Sequence, residues 1–580
     1  MEKVTALIFH KAKEDFLSEL QGLGVIHIAL EKLDATDQTL GELKDSIKRC
    51  ESFLKTAKDA KTAGTQPEIS FDGDVPTLIG VYEKTLDEIA SLRDRIEKSD
   101  KELSYLNPWG EFDSASLKRL AEAGISTRFF VAPVKRFQSL DLENACYQEV
   151  ARDKTYVHFV LFERAGHLKI NCDECPCPDT DRKTLENQRD IFREEKAKKE
   201  QFLAALYRRT AAVEECLNAQ RTRYAFHSIS ANLEAAAEGA VFVLKGWLPR
   251  SDKKRVQEFL NGRNVYFYFE SPAPDEAVPI LLKNNRFARL FEPITRLFDL
   301  PDYTEFDLTP FFAPFFTLFF GFCLGDAGYG LLLVIAGAVC GRRFPPDKRT
   351  LAVLLMILGI STFACGLMSG TLFGFDFSQI PGANRVVLFD QNRLFQAALI
   401  LGVIQVLFGM LLKAINRIRQ YGVAAGLSSI GWILLVGGLL SMMVVHAAVW
   451  AAAAGALLIL LFNDMQANIF VRIGKGLWEL YGITGVFGDI LSYIRLFALG
   501  ISSSILGFVI NEIAFQLRSI PVAGFLLTLV VLLVGHTGNL LLSALSSFVH
   551  PLRLTFVEFY KSVGFQGGGK AYSPFKKSTV

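Results

Sequence analysis

Beyond about residue 310 this 580-residue chain is short of charge, although its 63 Lys and Arg and 61 Asp and Glu nearly balance over the whole. Leu, Ile, Val, Phe, Ala and Gly dominate that second half. A mean hydropathy of +0.25 therefore averages two unlike parts, one polar and one apolar. With a net charge of +2 and no concentrated basic face, the chain has nothing to grip a phosphate backbone, so nucleic acid is excluded as a partner. No basic stretch followed by an apolar core and a cleavage site opens "MEKVTALIFHKAKEDF". No signal peptide is expected, and the first half is expected to stay in the cytoplasm. Cysteines are few, nine in all, and free thiols are expected in a reducing compartment. Three gather in "NCDECPCP", as Cys172, Cys175 and Cys177. The alternatives there are a zinc site completed by a ligand such as His167 and a plain polar loop. The spacing is loose and no second CxxC follows, so no metal and no cofactor is expected.

The polar half has a symmetric plan. Residues 1–30 ("KVTALIFH", "KEDFLSELQGLG", "VIHIAL") read strand, helix, strand. So do residues 236–275 ("AVFVLKGWLP", "SDKKRVQEFLNGR", "NVYFYFE"), with Ser251 as helix N-cap. Together they are expected to form a proximal α+β lobe. Between them, Leu40, Leu43, Ile47, Cys50, Leu54 and Ala57 recur in steps of three and four, as do Leu203, Leu206, Thr210, Val213 and Leu217. Such steps put one narrow apolar stripe on each helix. The expectation is a long antiparallel coiled-coil hairpin with arms 31–106 and 179–235. The alternative is a pair of ordinary helices on a globular core. Strand-like "RFFVAPV" and "YVHFVLF" place a distal α+β lobe at 107–178, and 276–309 is read as a linker.

A membrane helix needs about 20 apolar residues. Runs of that kind lie at 311–341, 351–373, 394–412, 426–446, 447–462, 484–510 and 521–552. "GRRFPPDKR" (341–349), "KAINRIRQ" (413–420), "VRIGKG" (471–476) and the tail 561–580 are the basic connections, expected on the cytoplasmic side. If the N-terminal half and "GRRFPPDKR" share one side, 311–341 crosses twice, breaking at "GFCLGDAGYG". The fold class expected is an α-helical polytopic membrane protein with eight transmembrane helices in 310–560 and both ends cytoplasmic.

Arg495 lies deep in "GDILSYIRLFALG" (488–500). A charge at mid-bilayer costs about 2.5–3.5 kcal/mol on insertion scales and usually faces a partner or water. In a continuous helix its face holds Gly488, Ser492, Ala498 and Ser502, small or polar, whereas Ile490, Phe497 and Ile501 flank it. Small residues admit a neighbouring helix. On the last run Asn539, Ser546, His550 and Arg553 share a face, and Pro551 interrupts the backbone. Arginine keeps its proton, so it cannot relay one, but it holds a nearby carboxylate ionised. "GFQGGGKA" (564–571) fits GxxxxGK in outline, but Ala571 replaces the Mg²⁺-binding Ser or Thr, and no strand precedes it. Direct nucleotide binding is not expected.

"GDILSYIRLFALG", "VHPLRLTFVEFY" with "GGGKAYSPF", "LKGWLP" (244–249) and residues 281–330 resemble the membrane stator subunit of V-type and archaeal-type rotary ATPases. That family is subunit I in prokaryotes and subunit a in eukaryotes, and the modest length resembles the prokaryotic form. The resemblance implies a non-catalytic subunit with two ion half-channels against a rotor ring of small subunits, each bearing an ion-binding carboxylate. It also implies peripheral stalk partners. Arg495 matches the family's essential arginine and Arg553 its second. Ser492, His550, Asn539, Asp489 and Glu558 complete the candidate ion-path residues. The eukaryotic pattern has a His eight residues after the first arginine, here Ser503, and a Glu ten before the second, here Ser543. A competing reading is a stand-alone secondary transporter whose arginines bind an anionic substrate.

Overall fold

The computed structural model describes residues 1–577 apart from 30–37, 61–72, 113, 141–144, 165–169, 171, 177–180, 264, 274–275, 377–390, 443–444, 464–467 and 522. The chain divides into two units. One is Thr5–Gly246 with Glu258–Tyr268 and Pro574–Val580; the other is Phe269–Ser573 with Met1–Val4 and Trp247–Gln257.

The elements of the polar half are β1 (Glu2–Phe9), α1 (Lys13–Leu23), β2 (His27–Ile28), α2 (Gln38–Ala60), α3 (Val75–Leu106), α4 (Ser114–Glu122), β3 (Ser126–Pro133), α5 (Val134–Phe137), β4 (Cys146–Arg152), β5 (Tyr156–Glu163), β6 (Asp173–Cys175), α6 (Arg182–Leu206), α7 (Thr210–Asn232), β7 (Glu234–Ala236), β8 (Val241–Leu248), α8 (Lys253–Asn261) and β9 (Tyr266–Glu270). Strands from both ends of this half share one sheet, ordered β2-β8-β1-β9 with β7 on β8. Val4, Ala6 and Ile8 alternate inward along β1, and α1 buries Phe16, Leu17 and Leu20. Gly246 admits the neighbouring chain: a Cβ there would lie 2.5 Å from the Ile26 side chain. Ser251 does not cap α8. It sits in a 3₁₀ turn, Arg250–Asp252, and bonds the Asp252 carboxylate instead.

The helices between pack as pairs, α2 on α7 and α3 on α6. Their seam buries Cys50, Phe53, Leu54, Ala57, Leu78, Ile79, Tyr82, Leu206, Tyr207, Val213 and Leu217. Pairs Lys199–Glu88, Arg193–Asp100 and Arg182–Asn107 show that α6 descends as α3 climbs. Exposed pairs of this sort add little stability; the apolar seam holds the helices. Burial there pushes the Cys50 thiol up to about 11 and the Tyr207 phenol up to about 12, so neither ionises at neutral pH. A 3₁₀ turn, Tyr207–Arg209, separates α6 from α7. A second sheet, ordered β4-β5-β3-β6, stands beyond the α3 end, where Trp109 packs with Phe129, Val160 and Leu185.

The apolar half begins with α9 (Glu292–Phe298) and continues with α10 (Thr309–Leu324), α11 (Ala327–Arg343) and α12 (Pro346–Ser369). A two-residue hairpin, β10 (Thr371–Leu372) to β11 (Phe375–Asp376), follows α12. Then come α13 (Gln391–Tyr421), α14 (Val423–Ser441), α15 (Ala448–Phe462), α16 (Ile469–Tyr481), α17 (Ile483–Leu491), α18 (Ile494–Leu517) and α19 (Gly524–Arg553). A π-helical turn, Leu554–Phe559, and α20 (Tyr560–Val563) end the helical part. The break expected within 311–341 falls at Gly325, left-handed at φ +56°, and Asp326, which caps α11. Among the described residues, five helical stretches are long and apolar enough to span a membrane; α10 and α15 are shorter apolar helices.

Three sequence readings need correction. "KAINRIRQ" is not a loop but the last turns of α13, because its Ile and Ala residues continue the apolar face beyond the membrane-length run. "VRIGKG" lies in α16, an amphipathic helix on which Arg472, Lys475 and Glu479 recur at helical spacing on one face. The 484–510 run is two helices, joined at Ser492–Tyr493.

Candidate functional site

At the α17–α18 junction the backbone tightens. Tyr493, Arg495 and Leu496 donate their N–H groups three residues back, to Ile490, Ser492 and Tyr493, at 3.1, 3.3 and 3.0 Å. Tyr493 anchors the junction. It is fully buried, and its hydroxyl donates to Gln405 Oε1 of α13 at 2.7 Å. A Cβ on Gly402 would lie 2.6 Å from its ring, so only glycine admits this contact. Arg495 follows two residues further on, in the first turn of α18. Its Nη1 is buried and has no hydrogen-bond partner among the described residues. The tightened turn also corrects the face read for Arg495, because a continuous helix is not what carries Gly488 and Ser492. Even so, Gly488, Ala498 and Ser502 are all exposed. The small residues that α18 does bury are Gly500, Ser503, Gly507 and Ala514, on another face.

The end of α19 lies beside this arginine. Pro551 sits inside the helix, and the π turn that follows carries Glu558, which is 2% exposed. Its Oε2 also lacks a hydrogen-bond partner. Arg495 and Arg553 both act electrostatically on His550 and on Glu558, so these four candidates form one zone. Asp489 borders the zone, but Lys561 Nζ holds its carboxylate at 2.9 Å. The Ser492 hydroxyl turns back to the Gly488 carbonyl at 3.0 Å.

Asn539 belongs to a second zone. Its Nδ2 donates to the Tyr329 hydroxyl at 2.9 Å and to the Ser503 carbonyl at 3.1 Å, and its Oδ1 accepts from Ser543 at 2.9 Å. The Tyr329 hydroxyl meets His536 Nδ1 at 2.7 Å, and His536 Nε2 meets Asn511 Oδ1 at 3.0 Å. Asn511 Nδ2 donates to the Phe373 carbonyl at 2.7 Å. Beneath them Asp326, fully buried, accepts four backbone N–H groups, from Gly328, Tyr329, Phe373 and Gly374, at 2.8–3.1 Å. The face drawn through Asn539, Ser546, His550 and Arg553 is thus not one open path: its Asn539 end is locked between α11 and α18.

Asp326, Tyr329, Asn511 and His536 were not among the sequence candidates. His536 lies three residues before Asn539 and extends the same α19 stripe, a signal that was there to find. Asp326 and Tyr329 sit in "GDAGYG", whose glycines marked the break but not the capping carboxylate. Asn511 had no signal of its own; only the fold brings it to His536.

The glycine-rich tail is engaged within the chain. Gln566 and Gly567 donate N–H groups to the Glu305 carboxylate at 2.8 and 3.2 Å, and Gly568 donates to Asp299 Oδ2 at 2.7 Å. Carboxylates stand where a phosphate would have to be, which excludes a phosphate cradle at these amides. Ile280 pairs alongside, with Lys570 and Ala571. Among the described residues no cluster of three His, Cys, Asp or Glu is placed to hold a metal. Cys172 and Cys175 are partly buried, which raises both thiols, while Cys177 and His167 lie outside the described residues.

These features define a class: a polytopic helical membrane protein with a half-buried arginine in an apolar helix, preceded by an α+β unit with long packed helices. The V-type ATPase 116kDa subunit family model matches residues 179–342. A V-type ATP synthase subunit I 1 of Treponema pallidum (strain Nichols) is 27% identical, over 100% of this chain and 99% of its own. The A-type ATP synthase subunit I of Methanocaldococcus jannaschii is 30% identical over 58% of this chain and 55% of its own. A crystal structure of the cytoplasmic N-terminal domain of a V-ATPase subunit I aligns with 47% of this chain and 100% of that one at 18% identity, with a TM-score of 0.22, too loose a superposition to bear on function. The family resemblance is to prokaryotic-type subunit I of V-type and A-type ATP synthases, and it runs the length of the chain.

Proposed function

We propose that this chain is the non-catalytic membrane stator of a rotary V/A-type ATPase or ATP synthase, carrying H⁺ or Na⁺ past a ring of small subunits that each bear one carboxylate. The observation that carries the proposal is the Arg495 guanidinium, whose Nη1 is buried and has no hydrogen-bond partner among the described residues, with the small residues Ala498 and Ser502 exposed one and two turns on. A buried guanidinium N–H left without an acceptor is expensive, and Glu558, the nearby carboxylate of this chain, makes no hydrogen bond to it. A carboxylate delivered by another subunit supplies the missing half. That carboxylate must be ionised to pair, so its ion leaves before the pairing, and it reloads once it moves on. The fixed charge also blocks leakage between the two sides of the path.

The two polar zones support offset half-channels. One gathers Arg495, Arg553, His550 and Glu558; the other gathers Tyr329, Asn511, His536 and Asn539. His536 and His550 stand about 21 Å apart along α19 at 1.5 Å per residue. In this reading the chain crosses eight times, and both ends and the polar half are cytoplasmic. The distal lobe, 107–178, and the proximal lobe hold peripheral stalks against the torque of the rotor, and ATP chemistry resides on other subunits. A stand-alone transporter accounts for the arginines but leaves the long helical arms without a task. Purification in mild detergent separates the two. The stator comes out in a large ATP-hydrolysing assembly, and a variant lacking 107–178 inserts but loses the head. Recovery of the chain alone supports the transporter instead.

A further inference from the structure

Ser503 and Ser543 stand where the resembling family's eukaryotic pattern has a titratable His and Glu, so the path on that side lacks its expected groups. Both serines touch the same residue: Asn539 donates to the Ser503 carbonyl and accepts from the Ser543 hydroxyl. Through Tyr329, Asn539 leads to His536, which is half-buried on α19.

The hydrogen bonds place the proton of the neutral imidazole. Asn539 Nδ2 donates to the Tyr329 oxygen, which leaves the Tyr329 hydroxyl hydrogen for His536 Nδ1. Asn511 Nδ2 is committed to the Phe373 carbonyl, so Asn511 Oδ1 accepts from His536 Nε2–H. In its neutral form the imidazole therefore carries its proton on Nε2 and accepts at Nδ1. A second proton on Nδ1 reverses the bond to Tyr329, whose hydroxyl hydrogen must then turn elsewhere. The Ser503 hydroxyl oxygen, buried and without a hydrogen-bond partner among the described residues, belongs to the residue whose carbonyl Asn539 binds. The titratable groups that face His536 are Tyr329 and the Asp326 carboxylate, which supplies the counter-charge.

We propose that His536, switched by the Tyr329 hydroxyl, is the proton-accepting station of the path on this side of Arg495, in place of the groups that Ser503 and Ser543 have lost. The inference rests on the stator reading and selects H⁺ as the ion. The test uses the assembled complex in vesicles, with ATP-driven proton uptake measured from pH 5.5 to 8.5. His536→Gln keeps polar bonding capacity toward Asn511 and Tyr329 but cannot titrate. Uptake is expected to fall by about tenfold or more in complexes that assemble normally. Ser543→Glu, added to His536→Gln, is expected to restore part of it. Tyr329→Phe is expected to move the pH profile along its axis. Near-normal uptake by His536→Gln, no rescue by Ser543→Glu, or a Tyr329→Phe profile that changes in height alone makes His536 a structural tie and overturns the inference. So does transport that follows Na⁺ and ignores pH. Arg495→Ala in the same vesicles separates the two claims: if it pumps, the stator reading fails; if it is dead while His536→Gln is normal, this inference fails alone.

Discussion

Removing the Asp326 carboxylate should loosen the apolar half more than any change of similar size on its surface. The β10–β11 hairpin turns through Phe373 at φ +49° and Gly374 at φ +73°, the two-residue turn with both central residues left-handed. Phenylalanine adopts that region at a cost. Gly374 is required for another reason too, since a Cβ there would lie 2.3 Å from the Gly507 carbonyl carbon of α18. Asp326 holds this turn by accepting both of its N–H groups, while capping α11 through Gly328 and Tyr329. Losing a cap costs about 1 kcal/mol. Each buried donor left unsatisfied costs about 1–3 kcal/mol. Asp326→Ala is therefore expected to destabilise by about 3–7 kcal/mol. Asp326→Asn keeps one accepting oxygen but sets an NH₂ against backbone N–H, for about half that loss. Thermal unfolding in detergent, read by tryptophan fluorescence or by retention of a monodisperse peak, should rank the variants wild type, Asn, Ala. A midpoint for Asp326→Ala within about 2 °C of wild type, where about 2–4 °C per kcal/mol is expected, would refute the claim that this carboxylate organises the hairpin.

Single cysteines placed in 378–388 are expected to react with an impermeant maleimide from outside the cell, and cysteines in 342–349 only after permeabilisation; outside labelling of 342–349 breaks the eight-crossing topology. His158, on β5, sits edge-on to Trp109 at 5.1 Å between ring centroids, and burial lowers its pKa. A His held neutral contributes stability above its unfolded pKa, and that stability is lost as pH falls below about 6.5. Hydrogen exchange in β3–β5 should accelerate from pH 7.5 to 5.5 beyond its intrinsic pH dependence, and His158→Gln should flatten the excess; an unchanged excess in that variant removes His158 as its cause.

Much of the architecture was legible where one physical constraint dominates. Alternating Val4, Ala6 and Ile8 marked a strand, and the Leu40-to-Ala57 spacing marked a helical stripe whose Cys50, Leu54 and Ala57 are buried. Glycine at 325 and aspartate at 326 marked a break because few other residues end one helix and start the next. Helix ends among apolar residues were not legible: α13 runs on through "KAINRIRQ", since Lys and Arg at membrane ends are helix formers as well as loop residues. The junction at Ser492–Tyr493 was hidden because it depends on Tyr493 reaching Gln405 and Gly402, 88 and 91 residues away in sequence. The arginines were visible as charges in an apolar run. The pairing of Asp489 with Lys561, and the burial of Asn539 between Tyr329 and Ser503, required the fold.

The central claim is that Arg495 meets a carboxylate brought by another subunit. Its most direct measurement is ATP-driven ion uptake by reconstituted complexes carrying Arg495→Ala, Arg495→Gln or Arg495→Lys, alongside a check that each has assembled. Each 1.4 kcal/mol of lost stabilisation is about tenfold in rate, and a carboxylate stranded in a low-dielectric site without partner or ion costs several kcal/mol. Lysine does not substitute, because it is a point charge that deprotonates when buried. The account predicts normal assembly and near-complete loss of uptake in all three, with a milder loss for Arg553→Ala. Near-normal uptake by fully assembled Arg495→Ala complex would contradict it.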